Sequence, residues 1–239
     1  MKTIFLVTLF FLPFVSNGQN IEVVEESNSN IAILNPKDFH CVPKEVRLPD
    51  TYKRGILTGK VTRAKKHNVV DIFNALWAKT NELGANSFHL ENVEFNSIES
   101  ITFTISIYSL TEVQVDSVYS LYPQNMIYII GDLNPEALKF KPVSVKVNNI
   151  KTQLPPTKFL AFQNRIGGET TVSKGGIMGA KVWIKGKEDR LPTYISVNGF
   201  GVGGSSPAGV MGISFNTGRI NPVDINFGEF LVETLEKAN

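Results

Sequence analysis

The chain has little cysteine, little histidine and almost no net charge, and each scarcity removes a class of function. Cys41 is the single cysteine among 239 residues, so an internal disulfide framework is excluded, as is every zinc or iron–sulfur site that needs two or more thiolates. The three histidines, His40, His67 and His89, are scattered, with no His-Glu-x-x-His pair among them. His89-Leu90-Glu91 matches the start of a zinc-deaminase signature, but the two downstream cysteine ligands are missing. No metal and no cofactor is expected. The 24 Lys and Arg against 22 Asp and Glu leave a net charge of +2, too small for bulk attraction to nucleic acid.

Long hydrophobic runs are also lacking. The apolar stretch 4–15 is shorter than the roughly 20 residues that span a bilayer as a helix, so no transmembrane segment is expected in the mature chain. With Lys2 before it and Ser16-Asn17-Gly18 after it, the stretch predicts a secretory signal over 1–18, cleaved after Gly18, with an uncleaved anchor rich in Phe and Leu as the alternative. No cysteine directly follows the apolar stretch, which closes the route to an acylated N-terminus. One thiol and no Asn-x-Ser/Thr sequon point to a bacterial exported protein, periplasmic or extracellular, with peripheral association at the envelope. Residues 19–30 are polar and acidic without a period that buries a face, and are expected to be a tether.

What is present is an α+β pattern in two parts. Over 69–83, Val69, Ile72, Phe73, Leu76, Trp77 and Leu83 recur at the spacing of one buried helical stripe. Asn68 stands where an N-cap belongs and Gly84 where a left-handed residue ends a helix. In 101–108 the alternation of Ile101, Phe103, Ile105 and Ile107 predicts a half-buried antiparallel strand. Residues 111–122 fit helix or strand equally until Pro123. Four glycines precede residue 121 and fifteen follow it, and the second half breaks into short β-favouring runs separated by turn pairs such as Asn148-Asn149 and Gly167-Gly168. The expected architecture is an N-terminal α/β lobe over 31–122 with one main amphipathic helix. An antiparallel β sandwich or small barrel over 123–239 follows, closed by a terminal helix bearing Phe227, Phe230, Leu231 and Leu235 on one face. Glu229 and Glu233 point away from that face.

The stretch 72–95, a helix ending Asn81-Glu82-Leu83-Gly84-Ala85-Asn86 and running into a strand, resembles the small α/β domain of bacterial envelope lipoproteins. The layout from Val143 through Leu154-Pro155-Pro156 to Tyr194-Ile195-Ser196-Val197 is similar to β-rich lipoprotein modules of unknown function. The resemblance implies an envelope location and transfers no catalytic residue.

Motifs for chemistry are sparse. Gly199-Phe200-Gly201-Val202-Gly203-Gly204 matches part of a dinucleotide fingerprint but opens no helix for a pyrophosphate, and is expected to be a flexible β-loop. Neither Ser173 nor Ser205-Ser206 has the Gly-x-Ser-x-Gly frame of a nucleophile elbow. The basic residues Lys53, Arg54, Lys60, Arg63, Lys65 and Lys66 have no acid among them, and they crowd a helix entrance where cations oppose the dipole. Lys60, Arg63, Lys65 and Lys66 are therefore the candidate contacts for an anionic envelope glycolipid or polysaccharide, or for an envelope protein. Trp183 and Tyr194 are expected as core or half-core residues rather than a carbohydrate platform. The expected function is non-catalytic, binding or structural. The alternative is a small extracytoplasmic hydrolase whose carboxylates pair only in the fold. Two carboxylates in one concave pocket favour the hydrolase, a flat β face bearing aromatics favours binding, and an uncovered edge strand favours a structural subunit.

Overall fold

The computed structural model describes residues 20–26, 38–62, 69–97, 100–131, 141–175, 179–197, 200–205, 211–215 and 220–238. A first sheet has the strand order β1-β3-β5-β4-β2, formed by β1 (Asn20–Glu26), β2 (His40–Val42), β3 (Lys53–Thr62), β4 (Ser87–Ser97) and β5 (Ser100–Tyr108). Ile101, Phe103, Ile105 and Ile107 of β5 are buried, as their alternation predicts. They share a core with Ile72, Phe73 and Leu76 of helix α1 (Val69–Glu82). Gly84 ends α1 at φ +76°, a left-handed conformation that costs glycine little, and the Ala85 amide closes back on the Thr80 carbonyl at 3.0 Å. Trp77 lies at the margin of the stripe and is half-buried, stacked on Phe39 with ring centroids 6.1 Å apart.

Residues 20–26 correct the expected tether. They form the edge strand β1, antiparallel to β3. Pairing satisfies the backbone of β3, and main-chain hydrogen bonds need no apolar period in the strand that supplies them. Glu22, Glu25 and Glu26 remain exposed along this edge. Residues 111–122 contain helix α2 (Glu112–Tyr119), opened by a capping box in which Thr111 and Gln114 satisfy each other's backbone amides.

The second half contributes two more sheets. The outer one has the order β11-β10-β7-β8, from β7 (Val143–Val147), β8 (Ile150–Leu154), β10 (Glu169–Lys174) and β11 (Ala180–Lys185). Asn148 and Asn149, at φ +49° and +68°, make the two-residue turn that joins β7 to β8. The middle sheet has the order β15-β12-β6-β9-β16, from β6 (Met126–Ile130), β9 (Lys158–Gln163), β12 (Thr193–Ser196), β15 (Asn221–Val223) and β16 (Glu236–Lys237). The outer sheet is antiparallel throughout; the middle sheet is mixed, with β6 parallel to β12. The two pack as a sandwich around Ile129, Val145, Leu160, Val172 and Ile195, and neither closes as a barrel. Residues 200–205 are not a loop but β13 (Phe200–Ser205), antiparallel to β14 (Met211–Phe215).

Packing ignores the expected boundary at 122/123. The terminal helix α3 (Ile225–Thr234) belongs to the core of the first sheet, where Phe230 lies 5.1 Å from Phe103 and Phe227 lies 4.8 Å from Phe73, centroid to centroid. The middle sheet covers the other side of α3 through Tyr128, Ile130, Phe159 and Tyr194, while Ile127 and Ile129 face the outer sheet. This explains the unbroken apolar run of β6, since a strand covered on both faces cannot alternate. Among the described residues no helix is long and apolar enough to cross a membrane.

Candidate functional site

Helix α3 starts at Asp224, whose carboxylate accepts from the Asn226 and Phe227 amides at 2.9 and 3.2 Å. Its aromatic side is buried, so residues 229, 232 and 233 fall at its edge. Glu229 and Glu233 are four residues apart and leave the helix on the same side. Opposite them, β2 runs into Pro43 and a turn closed by the Val46 amide on the Pro43 carbonyl at 2.9 Å. Between turn and helix lies a cleft of about 860 Å³, with Lys44, Glu45, Val46 and Arg47 on one wall and Glu229, Val232 and Glu233 on the other. Leu121, Pro123 and Tyr128 close its end. The volume is within the usual range for small-molecule sites.

Burial sets the electrostatics. Glu233 accepts from the Lys44 amide through Oε1 at 2.7 Å, and the Lys44 ammonium donates to the Glu233 carbonyl at 3.0 Å. Its Oε2 is buried with no hydrogen-bond partner among the described residues. Burial pushes the Glu233 carboxyl up to about 8, with the Lys44 amide acting the other way. Glu229 is 9% exposed and accepts from the Tyr194 hydroxyl. Burial raises its carboxyl too, against the lowering effect of that hydrogen bond. Tyr128, stacked on Tyr194 at 5.1 Å and 10°, is pushed up to about 12 by burial and by Glu229.

A second polar network lies behind the cleft and ties the elements together. Asn226 Oδ1 accepts from the Cys41 amide at 2.9 Å and from the Tyr119 hydroxyl at 3.1 Å. His40 Nδ1 is 2.8 Å from the same hydroxyl, and Tyr122 donates to the Cys41 carbonyl at 2.8 Å. Burial lowers the His40 imidazole despite Asp38 beside it, and raises the Cys41 thiol well above its ordinary value. His40 is half-buried and Cys41 fully buried, their side chains on opposite faces of the strand. Among the described residues no three His, Cys, Asp or Glu side chains gather at metal-ligand distance.

Of the candidate basic contacts, Lys60 is exposed on β3, while Arg63, Lys65 and Lys66 lie outside the described residues, as does His67. The acid-free run in sequence is not acid-free in the sheet: Lys60 pairs with Thr102, Thr102 with Glu94, and Glu22 sits two residues along β1 from the partner of Lys60. Tyr194 is a core residue, whereas Trp183 is 59% exposed on β11. The carboxyl pair was visible in sequence as Glu229-x-x-x-Glu233. It reads there as a solvated helix face, because nothing local shows that 43–47 folds against it. Compared with family models, curated proteins and solved structures, the chain gives no match.

Proposed function

We propose that the chain is an exported envelope or secreted protein that acts by binding, and that its small ligand occupies the cleft between 43–47 and α3. The observation that carries this reading is Glu233 Oε2, a buried carboxyl oxygen without a partner among the described residues at the wall of a cleft of about 860 Å³. Such an oxygen costs about 1–3 kcal/mol until a partner reaches it. With the carboxyl pushed up to about 8 it carries the proton at neutral pH and donates to a ligand oxygen, and a cationic N–H that ionises the carboxyl turns it into an acceptor, so either kind of ligand gains that term on binding. A macromolecular partner of the same reading is an anionic envelope glycolipid or polysaccharide, or an envelope protein, with Lys60, Arg63, Lys65 and Lys66 as contacts. The mature chain is proposed to start after Gly18.

The hydrolase reading is favoured by one observation, two carboxyl groups on one side of α3 in one concave site. Glycosidic acid–base pairs work because their environments separate one protonated from one ionised carboxyl. Here burial pushes Glu229 and Glu233 in the same direction, which suits ligand holding better than division of labour.

The test is thermal melting with agmatine and with glucosamine as donor-bearing probes. At least one should raise the melting temperature saturably, and Glu233→Ala should abolish the rise. No rise with either probe, or an equal rise in the variant, overturns the cleft as the ligand site. Hydrolysis of a glycan that disappears in Glu229→Gln overturns the non-catalytic reading.

A further inference from the structure

The outer sheet turns Val145, Val147, Val172 and Ile184 inward and leaves its other face to solvent. On that open face the registers align Lys181 with Ser173, Ser173 with Lys146, and Lys146 with Lys151. One line across all four strands therefore carries three ammonium groups. Adjacent strands are about 4.8 Å apart, and directly opposed like charges such as Lys146 and Lys151 oppose folding. Lys185, two residues along β11 from Trp183, adds a fourth cation opposite Glu169. Among the described residues none of Lys146, Lys151 and Lys181 has a carboxylate at ion-pair distance. Trp183 stands on the same face, 59% exposed, with Lys181 Nζ 5.2 Å from its ring centroid.

We infer that this face docks an acidic polysaccharide, an assignment that goes beyond the cleft and rests only on the reading that the chain acts by binding. Carboxylate groups spaced along a glycan neutralise the lysine line and remove the cost of the Lys146–Lys151 opposition. A sugar ring lies on the open face of Trp183, whose indole offers apolar area beside a bound cation. Ser173, between two lysines, and Thr171, opposite Trp183, present hydroxyls to the sugar hydroxyls. A lipid surface matches this face less well, because a single aromatic on a flat sheet lined with hydroxyls gives little to insert among acyl chains.

The test is isothermal titration of the full chain with polygalacturonate, with dextran and phosphatidylglycerol vesicles as comparisons. The polyuronate should bind at low salt, weaken as salt rises, and lose about tenfold in affinity in Lys146→Glu/Lys151→Glu. Trp183→Ala should weaken it further without changing the salt dependence, and dextran should not bind. If the first double variant loses its folded circular-dichroism signal, Lys181→Glu/Lys185→Glu takes its place. No binding to the polyuronate, affinity indifferent to the charge reversals in a folded variant, or tighter binding to the vesicles overturns the inference. Glu233→Ala should titrate as the wild type does here, so failure of this docking face and failure of the cleft are separate results.

Discussion

Gly228 lies against the ring of Tyr194, so closely that a Cβ on residue 228 would sit 2.2 Å from Tyr194 Cγ. That approach lets a strand of the middle sheet press its tyrosine onto α3, where the hydroxyl meets Glu229, the next residue along the helix. The tyrosine cannot simply swing aside, because Tyr128 is stacked on it. A helical Gly→Ala change ordinarily gains about 1 kcal/mol. Overpacking of this kind costs about 1–3 kcal/mol or more. Gly228→Ala is expected to be net destabilising by about 2 kcal/mol, read from the urea midpoint at unchanged slope. A stabilised variant would show that the contact is looser than described.

Glu233 makes stability depend on pH with a definite sign. Its carboxyl is held at about 8 in the fold against an ordinary value of 4.5, so the folded chain binds the extra proton. Its stabilising contribution is complete below about 4.5, falls as pH rises, and is lost beyond about 8. The loss across that window is on the order of 3 kcal/mol after discounting for partial exposure. Glu229, raised in the same direction, adds to the slope. Glu233→Gln should match the wild type near pH 4.5 and exceed it at pH 8.5 in denaturant titrations; equal slopes in both proteins would refute the assignment.

The first sheet should not survive without the last helix. Phe230 packs on Phe73, Phe88 and Phe103 and is fully buried. Phe230→Ala should cost about 3–5 kcal/mol. A chain ending before Ile225 exposes that aromatic cluster to water and should show no cooperative melting in calorimetry. A sharp transition in the truncated chain would mean that the first sheet has an independent core.

Cys41 should be chemically silent in the native state. It is fully buried, and burial and nearby Glu233 and Glu229 hold its thiol well above the ordinary range, so thiolate is scarce at pH 8. An aromatic disulfide reagent is expected to leave the native protein unlabelled and to label one thiol per chain in guanidinium. Rapid native labelling would place Cys41 at the surface.

Local pattern was sufficient for those elements whose burial follows from their own period. The strand at 101–108 alternates because one side meets the core shared with α1 and α3, and α1 repeats its apolar residues because one side meets the first sheet; Gly84 closes the helix through its own backbone freedom. The α+β class and the run of short strands after Pro123 follow from the same local rules. Thr111 and Gln114 held a readable capping signal for α2 that the mixed composition of 111–122 obscured. Other features rest on partners distant in the chain. The strand at 20–26 exists because β3 offers unpaired main-chain groups, which no side-chain period reports. The placement of α3 between two sheets depends on an aromatic surface that its own sequence displays without naming what covers it. The cleft joins residues 43–47 to 229–233, and the lysine line joins residues 146, 151 and 181, each across separations where sequence spacing carries no distance. Periodicity determines which side of an element is buried; only the tertiary structure decides what it is buried against, and charge and hydrogen-bonding partners are set by that second choice.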